Sequence, residues 1–340
     1  MDRTLVRKVS TVNVLVTGGA GFIGANLCRE LVSRPNTGKV IALDDLSTGS
    51  AANLAGTDVE LVEGSILDSG LLDSVVPAMD AVVHLAARPS VPRSLADPVA
   101  SHHVNATGTV TVLEACRRAG VHVVAASSSS VYGATAVLPK HEDLATRPLS
   151  PYAASKLATE AYVLAYGTSF GLPTLAFRFF NVYGPLQPAG HAYAAVVPAF
   201  IDAMLRGTPV RIFGDGLQSR DFTYVGTVVR VLADAVMRKV SCDRPVNLAF
   251  GTRVSVLDLA RELMDITGLP ADIRHEQPRA GDVRDSQAAD GLLHELFPGI
   301  AQVPLEEGLA KTVTWFRTLP DYAARGAGRQ HAGPVPVDVV

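Results

Sequence analysis

The chain has 340 residues, 48% of them hydrophobic, and its 30 basic and 33 acidic side chains leave a net charge of −3. That length suggests two domains or one two-lobed unit, and the apolar share argues against disorder. A near-balanced charge without like-charge blocks excludes nucleic acid or an anionic membrane surface as a bulk electrostatic partner. The cysteines, Cys28, Cys116 and Cys242, are odd in number and far apart. They support neither a disulfide framework nor a metal site, and reduced thiols imply a cytoplasmic setting. The charged start "MDRTLVRKVS" lacks the apolar run of a signal peptide, and no stretch approaches the roughly 18 uncharged apolar residues of a membrane span.

In chain order, "VNVLVT" (12–17) reads as a buried strand and runs into "TGGAGFIG" (17–24), which opens a helix over 22–33. Gly18 permits a tight turn, Gly21 lets a pyrophosphate approach the backbone, and Gly24 lets helix and strand pack closely. Exposed N–H groups and the helix dipole favour an anion there. The second strand, "KVIALD" (39–44), ends in Asp44, twenty residues beyond Gly24. A carboxylate at that place accepts hydrogen bonds from a ribose diol and repels a 2′-phosphate, so the expected cofactor is NAD rather than NADP.

Further strands are "VELVEG" (59–64), "AVVHLA" (81–86), "VHVVAAS" (121–127) and "PTLAFRF" (173–179), with helices over 104–119 and 152–169. Short β-rich runs alternating with helices predict an α/β fold, a Rossmann-type doubly wound parallel sheet. From 181 onward Gly- and Pro-rich loops separate helices at about 194–206, 224–238, 255–267 and 305–318. Residues 11–180 plus 221–250, including "VNLAF" (246–250), are assigned to the NAD-binding domain. Residues 181–220 plus 251–318 form a smaller mixed α/β substrate lobe, and 1–10 and 319–340 are flexible termini.

"SPYAASK" (150–156) starts the 152–169 helix, with Ser150 as N-cap and Pro151 in the first turn. Tyr152 and Lys156, four apart, share a helix face. An ammonium beside a phenol lowers its pKa from about 10, giving a group able to take or return a hydroxyl proton near neutral pH.

With "HLAA" (84–87), "SSSSVYG" (127–133), "RFFNVYGP" (178–185), "SRDFTYV" (219–225) and "GDVRDS" (281–286), the chain resembles the extended short-chain dehydrogenases/reductases. It is most similar to the NAD-dependent nucleotide-sugar epimerases and dehydratases, and among them to UDP-hexose 4-epimerases. The resemblance implies that Tyr152, Lys156 and Ser128 are catalytic. It implies cofactor contacts from Gly18, Gly21, Phe22, Ile23, Gly24, Asp44, Ser65 and Ile66, and from Leu85, Ala86, Ala87, Asn105, Tyr152, Lys156 and Phe179. Substrate contacts would come from Arg88, Ser128, Ser129, Asn181 and Val197, and from Arg211, Phe213, Arg220, Arg284 and Ser286. Ser65 stands where an Asp is common, and Phe179 where a Tyr is.

Related 4,6-dehydratases carry an Asp-Glu pair after the catalytic Ser/Thr; here Ser129 and Ser130 follow Ser128. Without that acid, water elimination lacks a proton donor, and C4 epimerisation of a UDP-sugar through a 4-keto intermediate is the economical reading. The small Ser286 leaves room for an N-acetyl group, whereas Arg88 could pair with a C6 carboxylate. The balance leans slightly to UDP-glucuronate/UDP-galacturonate. UDP-GlcNAc/UDP-GalNAc and UDP-glucose/UDP-galactose are the alternatives, with a dehydratase or reductase behind them. The resemblance also implies a homodimer.

Overall fold

Along β1 (Val12–Thr17), Val14 and Val16 enter one apolar cluster and Leu15 the other. Alternate side chains leave opposite faces of a strand, so β1 is covered on both sides. The structure, a computed structural model, describes residues 11–189, 194–278 and 284–322. In it β1 joins β2 (Thr37–Asp44), β3 (Glu60–Glu63), β4 (Ala81–His84), β5 (His122–Ser128), β6 (Thr174–Phe179) and the Val246–Leu248 strand. The sheet runs Val246–Leu248, β6, β5, β4, β1, β2, β3. Every pair in it is parallel. Successive strands depart from β1 in opposite directions, which opens a crevice at the carboxyl ends of β1 and β4, a ligand site in such sheets.

On one face the Phe22–Val32 and Val225–Arg238 helices pack Leu27, Leu31, Val228 and Leu232 against the sheet. On the other, the Gly108–Ala119 and Pro151–Phe170 helices supply Val112, Cys116, Val163 and Tyr166. In the smaller lobe the Val196–Arg206, Val256–Thr267 and Leu305–Thr318 helices enclose Ile201, Leu259, Leu263, Leu309 and Phe316. There the Val210–Phe213 strand pairs in parallel with Ile273–Glu276. Short ladders pair Val182–Tyr183 with Thr223–Tyr224, and Ser219–Arg220 with Val254–Ser255.

Several boundaries differ from the sequence reading. The strand expected over 81–86 stops at His84, because the Ala86 N–H donates to Thr17 Oγ1 rather than to a ladder. The helix expected from 104 begins at Gly108 and is preceded by a wider π turn, His103–Thr107. The 291–300 stretch, assigned above to the substrate lobe, packs against the large sheet. Leu293 and Phe297 of that stretch are buried in the cluster that holds Phe177 and Leu248, where they cover an otherwise bare sheet edge. Packing also continues past 318 as far as Tyr322, which is buried in the small-lobe core. The terminal segments 1–10 and 323–340 lie outside the described residues.

Candidate active site

The turn after β1 is shaped by glycines. Gly18 has φ +70, and a Cβ there would stand 2.8 Å from the Ala86 nitrogen. A methyl at Gly24 would overlap the Gly18 carbonyl. Gly21 caps the Phe22–Val32 helix without a side-chain hydrogen bond, and no acid occupies the first turn. The first-turn N–H groups are thus left for an anion from outside the helix. Asp44 stands beside them: its Oδ2 accepts the Ala20 N–H at 2.9 Å and its Oδ1 the Leu46 N–H at 2.9 Å. Burial raises the Asp44 pKa, and these backbone hydrogen bonds oppose the rise. A phosphate-binding turn with a ribose-reading carboxylate beside it fits a dinucleotide with a bare ribose diol.

From this turn a cleft of about 610 Å³ runs across the carboxyl edge of the sheet. Every cofactor residue named above lines it except Asn105, and Arg88, Ser128, Ser129 and Asn181 line it as well. Tyr152 and Lys156 reach it from the Pro151–Phe170 helix. Ser150 Oγ accepts the Ala153 N–H at 3.1 Å to start that helix, and Gly171, with φ 65, ends it. Tyr152 is half-buried and hydrogen-bonded to Ser128. Lys156 is buried, which pushes its pKa down to about 8, while the charge of Glu160 pulls it up.

One electrostatic expectation is corrected. The phenol of Tyr152 sits above its ordinary pKa, because burial outweighs the lowering by the Ser128 hydrogen bond, and Lys156 is not among the groups acting on it.

Asn105, an expected cofactor contact, is buried. Its Oδ1 accepts the Arg88 N–H at 2.7 Å, and its Nδ2 donates to the Arg88 carbonyl at 3.2 Å and to Ser155 Oγ at 2.9 Å. It ties the loop after β4 to the catalytic helix from behind. The same buried layer holds His84. Thr109 donates to the Asn105 carbonyl at 2.6 Å, so at 3.1 Å its oxygen accepts from His84 Nε2. His84 Nδ1 therefore accepts from Thr17 Oγ1 at 2.8 Å, a neutral imidazole. Burial, with the Lys156 charge behind it, lowers the His84 pKa to about 3.

A second cavity of about 530 Å³ meets the first at Ser128, Ser129, Phe180 and Asn181. Arg220 and Ser286 line it, with Lys140 and the apolar Val91, Leu95 and Leu149, none of which the sequence reading named as site residues. The remaining substrate candidates stand elsewhere. Val197 is buried in the small-lobe core, where the apolar face of its helix requires it. Arg211 lies exposed on an edge strand 3.6 Å from Glu276, and Phe213 ends that strand half-buried. Arg284 is exposed and 3.2 Å from Asp215. Glu160, four residues beyond Lys156, was also missed; its spacing was the available signal. It meets Arg178 at 2.7 and 2.9 Å.

A family model for the NAD dependent epimerase/dehydratase family matches residues 14–249. The UDP-glucose 4-epimerase of Mycolicibacterium smegmatis is 39% identical over 90% of this chain and 99% of that protein. The structure is similar to the UDP-N-acetylglucosamine 4-epimerase of Methanobrevibacter ruminantium in complex with UDP-N-acetylmuramic acid. The TM-score is 0.86 at 34% identity, covering 90% of this chain and 98% of that one. It is also similar to the Thermus thermophilus UDP-glucose 4-epimerase complexed with NAD, with a TM-score of 0.81 at 34% identity over 90% and 99% of the two chains.

Proposed function

The chain belongs to the NAD-dependent epimerase/dehydratase family, and from that premise we propose that it inverts C4 of a UDP-hexose through a transient 4-keto sugar. The observation that carries this reading is that Tyr152 and Lys156 line the cofactor cleft beside Ser128, which belongs to the wall shared with the second cavity. That wall continues through Ser129 and Ser130 with no acid placed to expel water. Of the described residues lining the second cavity, Asp285 alone is a carboxylate, and it is already engaged by Ser219 and by Arg253 at 3.1 Å.

NAD is the cofactor of the family, and when bound it supplies the acceptor and donor of hydride. Gly18, Gly21 and the open helix start would hold its diphosphate, and Asp44 and Lys156 its ribose hydroxyls. Tyr152, as the phenolate hydrogen-bonded by Ser128, would take the O4 proton as C4 becomes a carbonyl. It returns that proton after the sugar has presented its other face. Asn181 and Arg220 line the second cavity and would meet the diphosphate, guanidinium being suited to paired phosphate contacts.

The finer choice of sugar rests on two side chains. Arg88 lines the cleft half-buried, 3.5 Å from Asp97, and supports the lean toward a uronate. Ser286, in the wall of the second cavity, favours the N-acetylhexosamine alternative by leaving room at C2. A homodimer fits the exposure of Tyr162 and Phe170 on the catalytic helix, and a cytoplasmic setting fits the three free cysteines. Among the described residues, no helix is long and apolar enough to cross a membrane.

The test is to incubate the purified protein with UDP-glucose, UDP-GlcNAc and UDP-glucuronate separately and follow C4 by NMR. Inversion with no net change in NAD redox state is the expected result. A 4-keto-6-deoxy product or stoichiometric NADH would replace this reading with a dehydratase or a dehydrogenase.

A further inference from the structure

Behind the catalytic residues lies a buried ion pair that the reaction above does not use. Glu160 and Arg178 are each 3% exposed. Arg178 grips the carboxylate at two points, Nη2 to Oε1 at 2.7 Å and Nε to Oε2 at 2.9 Å. Its Nη1 donates to the Glu142 carbonyl at 3.1 Å, and its guanidinium lies over the Tyr132 ring at 4.6 Å. The third contact on Glu160 is Ser127, whose Oγ donates to Oε2 at 2.8 Å and lies 3.4 Å from the Lys156 carbonyl.

Two relations follow from this geometry. Tyr152, Lys156 and Glu160 are spaced by four along one helix, so Glu160 presents its charge on the side where the ammonium sits. Ser127 immediately precedes Ser128, the partner of Tyr152. Glu160 therefore fastens the end of β5, which carries Ser128, to the helix, which carries the phenol and the amine. Arg178, on the neighbouring β6, keeps the carboxylate from turning away.

We propose that Glu160, locked by Arg178, is a positioning residue for the proton-transfer set: it keeps Lys156 charged and holds Ser128 in register with Tyr152. This inference rests on the epimerase reading for its kinetic consequences, though not for its electrostatic one. The titratable groups around Lys156 are Glu160 and Tyr152 on its own helix, His84 on β4, and Arg178 on β6 beyond Glu160. His84 titrates far lower, about 3, and does not change charge in the alkaline range. Glu160 supplies the raising contribution at Lys156, whose pKa of about 8 marks the alkaline limit of the charged amine.

Two variants of the NAD-loaded protein test it. Glu160→Gln removes the anion but leaves Arg178 unpaired and is expected to melt earlier. Glu160→Gln/Arg178→Met removes both charges, and replacing a buried pair with apolar volume commonly preserves stability. In Glu160→Gln the Lys156 Nζ signal, assigned with Lys156→Arg and followed by NMR against pH, should titrate about one unit lower than in the parent, and in the double variant, where the opposing cation is gone as well, it should fall by less. With UDP-glucose as the probe, kcat should fall about tenfold with KM changed by less than about a factor of three, and its alkaline limb should move down with Nζ. A double variant with the parent's Nζ titration and alkaline limb overturns the proposal and leaves the pair a structural one. A parent protein that inverts none of the three UDP-sugars defeats the epimerase reading instead. In that case the Nζ titration still decides whether Glu160 acts on Lys156.

Discussion

Asp44 Oδ2 accepts the Ala20 N–H at 2.9 Å, which joins the end of β2 to the glycine turn after β1. One carboxylate thus braces the turn's backbone and, as proposed, would meet the adenosine ribose. Asp44→Asn keeps the size but loses charge-assisted acceptance from the diol. Hydrogen bonds to charged groups are worth about 1.5–3 kcal/mol, so NAD affinity should fall by roughly 10- to 100-fold. NADP, no longer repelled, should lose less. Calorimetric titration of cofactor-stripped protein with each dinucleotide checks this, and a parallel loss for both would remove Asp44 from 2′-position discrimination.

What was legible in the sequence is what is encoded locally. The glycine spacing, the Asp44 strand end and the Ser150-Pro151-Tyr152 helix start each depend on neighbours within a few residues, and each recurs in the structure. The pairing of Glu160 with Arg178, and the Val91, Leu95 and Leu149 wall, arise only when distant segments fold together. Val197, which the resemblance implies as a substrate contact, lies in the core of the smaller lobe, where the apolar face of its own helix places it. Asn105, expected as a cofactor ligand, spends its side chain on hydrogen bonds to Arg88 and Ser155, which only the folded chain brings to it.

The Ser128–Tyr152 hydrogen bond lowers a phenol pKa that burial has raised. Tyr152→Phe should retain NAD and UDP-sugar binding while kcat falls by about 10²-fold or more, the scale of acid–base catalysis. Ser128→Ala removes the lowering influence, so the phenol pKa rises and the acidic limb of the kcat profile should move to higher pH. Turnover in Ser128→Ala is then partly recovered by raising the pH, whereas Tyr152→Phe is not rescued. An unmoved acidic limb in Ser128→Ala would separate that serine from the proton step.

His84 gives the protein an acid-sensitive element. Its pKa falls from an ordinary 6.5 to about 3 in the fold, because the neutral ring is buried between Thr17 and Thr109. A depressed folded pKa means that the unfolded chain binds the proton first. The stabilisation is complete above 6.5 and is lost progressively as pH falls from 6.5 toward 3. The thermal midpoint should decline over that range, and His84→Gln, which keeps polar atoms but does not titrate, should decline less steeply even if it starts lower. Parallel slopes for the two proteins would assign the acid sensitivity to other groups.

Arg88 combines a fixed backbone with a side chain that has little to hold it. Asn105 fastens its N–H and carbonyl, but its side chain is 36% exposed, and among the described residues the guanidinium has only Asp97, at 3.5 Å, as an ion-pair partner. A half-exposed pair of that length contributes roughly 0–1 kcal/mol, so a substrate carboxylate can compete for the guanidinium at small cost. Arg88→Ala should therefore lower kcat/KM for UDP-glucuronate by about 10-fold or more while changing UDP-glucose by less than about threefold. Asp97→Asn supplies the complementary test: by freeing Arg88 it should improve the uronate and leave the neutral sugar unchanged. If Arg88→Ala weakens both sugars equally, the side chain serves the cofactor cleft alone, and the choice of hexose passes to the wall that contains Ser286.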